Sequence, residues 1–476
     1  MVNVKLGGVK PGRSIGLKMI VIFTLIILMA IPIMFISIVS FERSSTADDV
    51  TREVSQSYGG AQTILGPTLI IPYEQRLPGG RIRLGDYIVS ADTGVATFDQ
   101  INVREVARSL YQVPVYTAQG TLSAEFPDIA DISSRLDDIE LLTEQARIIV
   151  GLQDVTGLQS DVQLSVGDQT LVFEPYQATN LRRQNIDITI ERAIDPVQGA
   201  RRSNEPDIVF DRLKSAGLTL LSVPATDVIN APGKPVSVDM SISGAPSLSV
   251  LPFAKSTTVS MQSDWPHPGF AGRFPPSERQ IAEDGFSATW SIPYLRRGII
   301  ASGRAAEMSA LTQSGLYVQV NFVSPLNPYQ TVNRALKYAI LFIGLVFISY
   351  FLMETLIGTR VHPAQYLLIG LAQAVFYLLL LAFAERFGFT LAFIISALAT
   401  VTLTALYAGA VFGRSVTPIS VAVFGSVYGL LFVLMRIQDF ALMVGALVCF
   451  TAIAATLYLT RNLDWYGTRE DAPISE

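Results

Sequence analysis

Stretches of apolar residues long enough to cross a membrane lie near the two ends of this chain. Residues 19–40 carry no charge, and five further apolar stretches follow at residues 338–357, 364–384, 387–408, 416–435 and 440–460. Each has about the 20 residues that a helix needs to span a bilayer. Residues 41–333 contain no such stretch. The pattern predicts one membrane helix, a large domain outside the lipid, and a bundle of five membrane helices.

The first apolar stretch has two interpretations. Residues 45–47, STA, fit the small-x-small pattern of a signal-peptide cleavage site. The apolar core of a signal peptide is about 7–15 residues long, however, and residues 19–40 are clearly longer. We therefore expect an uncleaved anchor.

Basic residues near the ends of the spans predict their orientation, because cytoplasmic loops carry an excess of Lys and Arg. Such residues precede the first span and follow the second, fourth and sixth: Lys5, Lys10, Arg13 and Lys18, then Arg360, Arg414 and Arg461. The two tails, residues 1–18 and 463–476, are therefore expected in the cytoplasm, and residues 41–333 in the periplasm.

Residues 41–333 have the pattern of a β-rich domain. Short segments of β-branched and aromatic residues are separated by Gly, Pro, Asp and Asn, as in TILGPTLIIPY, GVATFDQINV, NIDITIE, SVDMSISG and YVQVNFV. Many short strands predict one or two antiparallel sandwiches. Residues 131–149 read better as a helix, and residues 191–206 as a boundary between two subdomains. The expected fold class is a membrane protein of the α+β type, with a sandwich-like periplasmic domain between the N-terminal transmembrane helix and the C-terminal five-helix bundle.

Composition agrees with a membrane protein and limits the chemistry. Half of the residues are hydrophobic, only 16% are charged, and the mean hydropathy is +0.40. One cysteine, Cys449, excludes an intramolecular disulfide, and with two histidines a zinc site would need mostly carboxylates. The net charge of −5 argues against nucleic acid as a partner. Catalytic and nucleotide-binding motifs such as G-x-S-x-G and H-E-x-x-H are absent from the sequence, so we expect no enzyme activity, no metal and no cofactor.

Glu354 is the acidic residue placed inside a predicted span, about one helical turn from its cytoplasmic end. Ionisable groups within membranes are functional candidates, so Glu354 is a candidate coupling carboxylate of a transporter. At that depth it is also able to reach the interface and pair with Arg360. We favour the ion pair.

The two histidines and one aromatic segment are the other candidates. His362 lies in a cytoplasmic turn before Pro363, which is suited to the first position of a helix; a polar helix start is favoured over a proton relay. Residues 263–276, SDWPHPGFAGRFPP, place Trp265 and His267 on a rigid loop. Such a loop is able to bind a ligand, to pack against the end of a sandwich or to lie on the bilayer, and packing is favoured.

Small residues predict where the membrane helices approach one another. Ser396, Thr400, Thr404 and Ala408 repeat every four residues, and Gly425 and Gly429 form a G-x-x-x-G motif. Trp465 and Tyr466 have the position of an interfacial aromatic anchor.

Several segments together resemble the CreD family of inner-membrane proteins. They are LGPTLIIPY (65–73), YQVPVYTAQ (111–119), SLSVLPFAKSTTVSMQSDWPHPGF (247–270), NPYQTVNRALKYAILFIGLVF (327–347), GTRVHPAQYLLIGLAQAVFYLLLLAFAERFGF (358–389) and RNLDWY (461–466). The resemblance covers essentially the whole chain. It implies a bacterial inner-membrane protein linked to envelope integrity and to a two-component stress response, and it implies no catalytic reaction.

Three functional hypotheses remain at this point. The favoured one is a non-enzymatic membrane protein whose partners are the lipid bilayer and envelope proteins or cell-wall components, which its β domain binds, senses or braces. The alternative is a small transporter or flippase-like protein with a cavity near Glu354. A membrane-bound hydrolase with acidic residues gathered by the fold is the weakest.

Overall fold

The computed structural model describes residues 15–78, 81–108, 111–176, 202–204, 213–215, 217–298, 300–305, 316–322, 328–437 and 441–461. The chain divides into two compact units, Asp49–Pro325, which is β-rich, and Met1–Asp48 with Leu326–Glu476, which is helical.

The β-rich unit contains two mixed sheets. Its strands are β1 Gln62–Leu77, β2 Arg81–Val89, β3 Ala91–Arg108, β4 Tyr111–Glu125, β5 Ile139–Leu141, β6 Arg147–Leu152, β7 Gln163–Val166, β8 Gln169–Val172, β9 Glu174–Pro175, β10 Arg202–Asn204, β11 Thr219–Pro224, β12 Pro235–Gly244, β13 Ser247–Leu251, β14 Ala254–Ser263, β15 Pro268–Gly272, β16 Glu278–Ala282, β17 Gly285–Ile292, β18 Ser302–Arg304 and β19 Val318–Phe322. One sheet has the order β15-β19-β13-β1-β6-β11-β9, with β2 and β5 also paired with β1, and β10 and β18 paired with β2. The other has the order β16-β17-β14-β3-β4-β12-β7-β8. The pairs β1–β13, β2–β10 and β3–β14 are parallel, so the purely antiparallel arrangement predicted from the strand pattern is wrong.

One hydrophobic core joins residues of both sheets, among them Ile70 of β1, Phe98 of β3 and Trp290 of β17. The expected subdomain boundary at 191–206 falls almost entirely outside the described residues. Strands before and after it nevertheless pair with each other, β3 with β14 and β4 with β12. The described strands therefore form one unit rather than two consecutive subdomains. The strand predicted at NIDITIE also lies outside the described residues.

The helix predicted over residues 131–149 is wrong. A short α-helix, α3 Ile129–Ser133, forms there, and β5, a 3-10 helix at Thr143–Gln145 and β6 follow. Strand β6 lies between β1 and β11, and its residues Ile148, Ile149 and Val150 are almost fully buried. β-Branched side chains pack well inside a sheet, and this burial outweighs the helical pattern of the charged residues before β6.

The other helices belong mainly to the helical unit. They are α1 Ile15–Leu28, α2 Ala30–Ser57, α4 Thr226–Ile229, α5 Tyr294–Arg297, α6 Pro328–Lys337, α7 Ala339–Ile357, α8 Pro363–Phe412, α9 Thr417–Arg436 and α10 Ala441–Thr460, of which α4 and α5 lie in the β-rich unit. The break between α1 and α2 at Met29 follows from Pro32, which has no N–H to donate to the carbonyl of Leu28.

Helix α8 consists of two helices joined at Gly388, whose φ of 74° and ψ of 164° are not helical. The break predicted at residues 385–386 is therefore displaced, because Glu385 and Arg386 fit a helix whereas glycine readily adopts a positive φ.

Five helical segments among the described residues are long and apolar enough to cross a membrane, the first of which runs from α1 into α2: Lys18–Ser57, Ala339–Ile357, Pro363–Phe412, Arg414–Arg436 and Met443–Thr460. The third has 50 residues, more than twice the length of about 20 that one crossing needs.

Candidate functional site

The carboxylate of Glu354 lies at the centre of a buried polar cluster at the end of α7. Its Oε1 accepts a hydrogen bond from the backbone N–H of Val361 at 2.9 Å and forms an ion pair with Lys18. Its Oε2 accepts from the Tyr366 hydroxyl at 2.8 Å. Glu354 and Tyr366 are 5% and 3% exposed, whereas the Lys18 side chain is 36% exposed. The cluster thus joins α1, α7, the α7–α8 turn and α8.

The turn between α7 and α8 positions these donors. Gly358 follows the last residue of α7; its φ of 76° suits glycine, and its N–H donates to the carbonyl of Glu354. His362 then caps α8: its Nδ1 accepts from the N–H of Ala364 at 3.2 Å, and its own N–H donates to Gln365 Oε1 at 3.0 Å. Pro363 is the first helical residue, as the sequence predicts. His362 therefore caps the start of α8 between Val361 and Tyr366, the two residues that donate hydrogen bonds to Glu354.

Lys18 forms an ion pair with Glu354 that was not predicted from the sequence, which suggested Arg360 as the partner. A signal for this pair exists in the sequence, because Lys18 and Glu354 are both placed at the cytoplasmic end of a predicted span. Tyr366 could not be identified in this way, since a tyrosine in a span is usually part of the apolar packing.

A second polar contact lies deeper in the helical unit. The Tyr428 hydroxyl of α9 donates to Gln373 Oε1 of α8 at 2.5 Å, and both residues are buried. These residues line a small cavity of about 10 Å³ together with Phe342, Ile343, Val346, Tyr377, Val427 and Leu431. Glu354 is not among the residues that line it.

The close approaches between helices occur partly where the sequence predicts them. Ser396, Thr400, Thr404 and Ala408 are all buried, as their spacing predicts. The prediction that Gly425 and Gly429 lie at a close contact between helices is wrong, because a Cβ at either position would meet no atom of a described residue within 4 Å.

A close approach between helices occurs instead at Gly370 of α8. A Cβ at Gly370 would lie 2.6 Å from Met29 Sδ and 2.8 Å from Phe347 Cζ. Gly370 and Ala374 form a small-x-x-x-small pair in the sequence, which was not among the predicted contacts. Trp465 and Tyr466 lie outside the described residues.

In the β-rich unit, the loop around Trp265 is packed on the core. Trp265 is half-buried against the core cluster, and the exposed His267 ring stands edge-on to it at a centroid distance of 6.3 Å. The segment predicted as one loop contains strand β15, and Phe274 beyond that strand is 2% exposed. Trp265 and Phe274 therefore contribute to packing, whereas the ring of His267 is exposed.

The same unit holds a buried cation that the sequence does not single out. Arg297 at the end of α5 is 2% exposed, and its two terminal nitrogens contact the Ser90 hydroxyl at 3.2 Å. Its Nε has no hydrogen-bond partner among the described residues. Burial lowers the pKa of Arg297 to about 10.

Comparison with known proteins shows which family this chain resembles. The family model described as "Inner membrane protein CreD" matches residues 14–466 of the chain. The chain is also similar to a curated relative, the inner membrane protein CreD of Escherichia coli (strain K12), with 30% identity over 461 residues. The aligned region covers 94% of this chain and 93% of the E. coli protein.

Proposed function

Because the chain belongs to the CreD family of inner membrane proteins, we propose that it crosses the inner membrane six times, with both termini in the cytoplasm and the β-rich unit in the periplasm. The kink at Gly388 divides the 50-residue α8 into two crossings. Basic residues near the ends of the spans support the orientation. Helices α7 to α10, with α8 counted as two crossings, would then form a five-helix transmembrane bundle.

We further propose that the protein supports the integrity of the cell envelope as part of a stress response, without catalysing a reaction. In this proposal the β-rich unit binds, senses or braces proteins or cell-wall components, and the helical unit is its membrane scaffold. The observation that supports the scaffold role is that both carboxylate oxygens of Glu354 already have hydrogen-bond or ion-pair partners. Its two oxygens are engaged by three donors from α1, the α7–α8 turn and α8.

The transporter alternative requires Glu354 to exchange a proton or an ion with a path through the helices. A coupling carboxylate must become accessible and change its partners during the cycle. The observed partners instead fix Glu354 as a connection between helices, and the cavity around Gln373 has a volume of about 10 Å³, room for about one water. These contacts favour the scaffold.

The test is the activity of Glu354→Gln per folded molecule. Cells that lack the wild-type protein would express each variant, and survival under a detergent challenge would be divided by the amount of folded protein. A scaffold predicts that the variant protects as well as wild type once abundance is taken into account. A folded, abundant protein without protective effect would contradict the scaffold and favour transport. Glu42→Gln, at an exposed position of α2, is the matched control.

A further inference from the structure

The cavity between α7, α8 and α9 combines a water-sized volume with an unsatisfied polar group. Its volume is about 10 Å³, and five of its eight lining residues are apolar. The other three are Gln373, Tyr377 and Tyr428. A cavity of roughly this volume holds one water molecule when two to four polar partners are present.

Gln373 supplies the unsatisfied group. The residue is 3% exposed, and its Nε2 has no hydrogen-bond partner among the described residues, whereas its Oε1 accepts from Tyr428. Rotating the amide by half a turn would exchange the two atoms and leave the oxygen unsatisfied instead. Either orientation therefore leaves one buried polar atom of a cavity-lining residue without a partner.

Within the described part of the chain, this atom has no hydrogen-bond partner. A buried polar group without a partner is unfavourable, and bulk water does not reach the hydrocarbon region of a bilayer. The tyrosine hydroxyls at the cavity wall have capacity left, since a hydroxyl that donates one bond still accepts others.

We propose that this cavity binds one structural water molecule, held by the Gln373 amide and the hydroxyls of Tyr377 and Tyr428. The water completes the hydrogen bonding of Gln373 and adds a second polar link between α8 and α9, beside the direct Gln373–Tyr428 bond. This site is independent of the envelope function proposed above, because it concerns the interior of the helical unit alone.

Hydroxyl-radical labelling of the full-length protein in lipid nanodiscs tests the proposal directly. Radicals produced by radiolysis of a bound water modify the side chains that touch it. We expect Tyr377 and Tyr428 to be labelled more than Tyr116, which is 1% exposed, does not line the cavity and donates its hydroxyl hydrogen to the carbonyl of Ser247. Labelling of Tyr377 and Tyr428 no higher than that of Tyr116 would overturn the proposal.

A pair of variants gives a second, thermodynamic test. Val427→Ile adds one methylene at the wall of the cavity. If the cavity is hydrated, this group displaces the water and lowers the melting temperature in the wild-type background, but not in a Gln373→Leu background, where no polar atom needs the water. A shift of the same sign in both backgrounds would instead indicate a dry cavity or simple overpacking, and would overturn the proposal. The labelling experiment decides the question if Gln373→Leu does not accumulate.

Discussion

Gly370 provides the most quantitative test of how the helical unit packs. The perturbation is a single methyl group, Gly370→Ala, with Gly425→Ala as the matched control on another helix. The new Cβ at Gly370 would lie 2.6 Å from Met29 Sδ and 2.8 Å from Phe347 Cζ, about 1 Å inside the ordinary contact distance of ~3.5–4.0 Å. At Gly425 it would meet no described atom within 4 Å.

The control isolates the contact energy. Overpacking a close-packed interior typically costs about 1–3 kcal/mol. Both substitutions gain the same helix propensity, up to about 1 kcal/mol for Gly to Ala, and this gain cancels in the comparison. We therefore expect Gly370→Ala to be less stable than Gly425→Ala by about 1–3 kcal/mol. The flexible Met29 side chain favours the lower half of that range.

Cys449 makes the measurement specific to the helical unit. It is the chain's one cysteine, it is half-buried and it lies in α10. A thiol-reactive dye would report its exposure while the detergent-solubilised protein is heated. The melting temperature of Gly370→Ala should fall several degrees below that of Gly425→Ala. Equal melting temperatures, or a larger loss for Gly425→Ala, would refute the assignment of the close approach to Gly370.

Three further predictions concern single side chains. Glu354→Leu should lower the melting temperature reported by Cys449 more than Glu354→Gln does. Leu leaves the buried hydroxyl of Tyr366 without an acceptor, at a cost of about 1–3 kcal/mol, whereas Gln keeps an acceptor oxygen. Equal losses would contradict the hydrogen bond between Tyr366 and Glu354. Gly120→Ala should destabilise the β-rich unit, because its Cβ would lie 2.3 Å from Phe98 Cε1. Thermal unfolding followed by tryptophan fluorescence measures this, and an unchanged unfolding temperature would argue against the close contact. Arg297→Met should leave the β-rich unit as stable or more stable at neutral pH. The lowered pKa of about 10 means that burying the charge is unfavourable below that pH, and this cost is relieved as the pH rises above it. A large loss of stability would indicate an anionic partner for Arg297.

The sequence predicts the elements that depend on local composition. Runs such as residues 19–40 are apolar whatever their neighbours are, and the corresponding helices are long and apolar enough to span a membrane. Pro363 likewise acts through its own backbone geometry, so the start of α8 could be predicted from the sequence. The family was also identified correctly from short segments spread along the chain.

Features that depend on distant partners could not be predicted in the same way. Strand β6 is a strand because β1 and β11 flank it, and residues 131–149 give no indication of these neighbours. The pairing of Lys18 with Glu354 joins positions 336 residues apart. Gly425 and Gly370 show the same limit, since a motif of small residues indicates that a close approach is possible but does not identify which helix face makes it.

The orientation of the two units across the membrane is the central claim, and cysteine accessibility in intact cells tests it most directly. In a Cys449→Ala background, single cysteines would be placed at Lys234, an exposed turn of the β-rich unit, and at Ser415, an exposed position between α8 and α9. Cells with a permeabilised outer membrane would then be treated with a maleimide that does not cross the inner membrane. We predict that Lys234→Cys reacts in intact cells and that Ser415→Cys reacts only after lysis. Labelling of Ser415→Cys in intact cells, with protection of Lys234→Cys, would contradict the periplasmic placement of the β-rich unit.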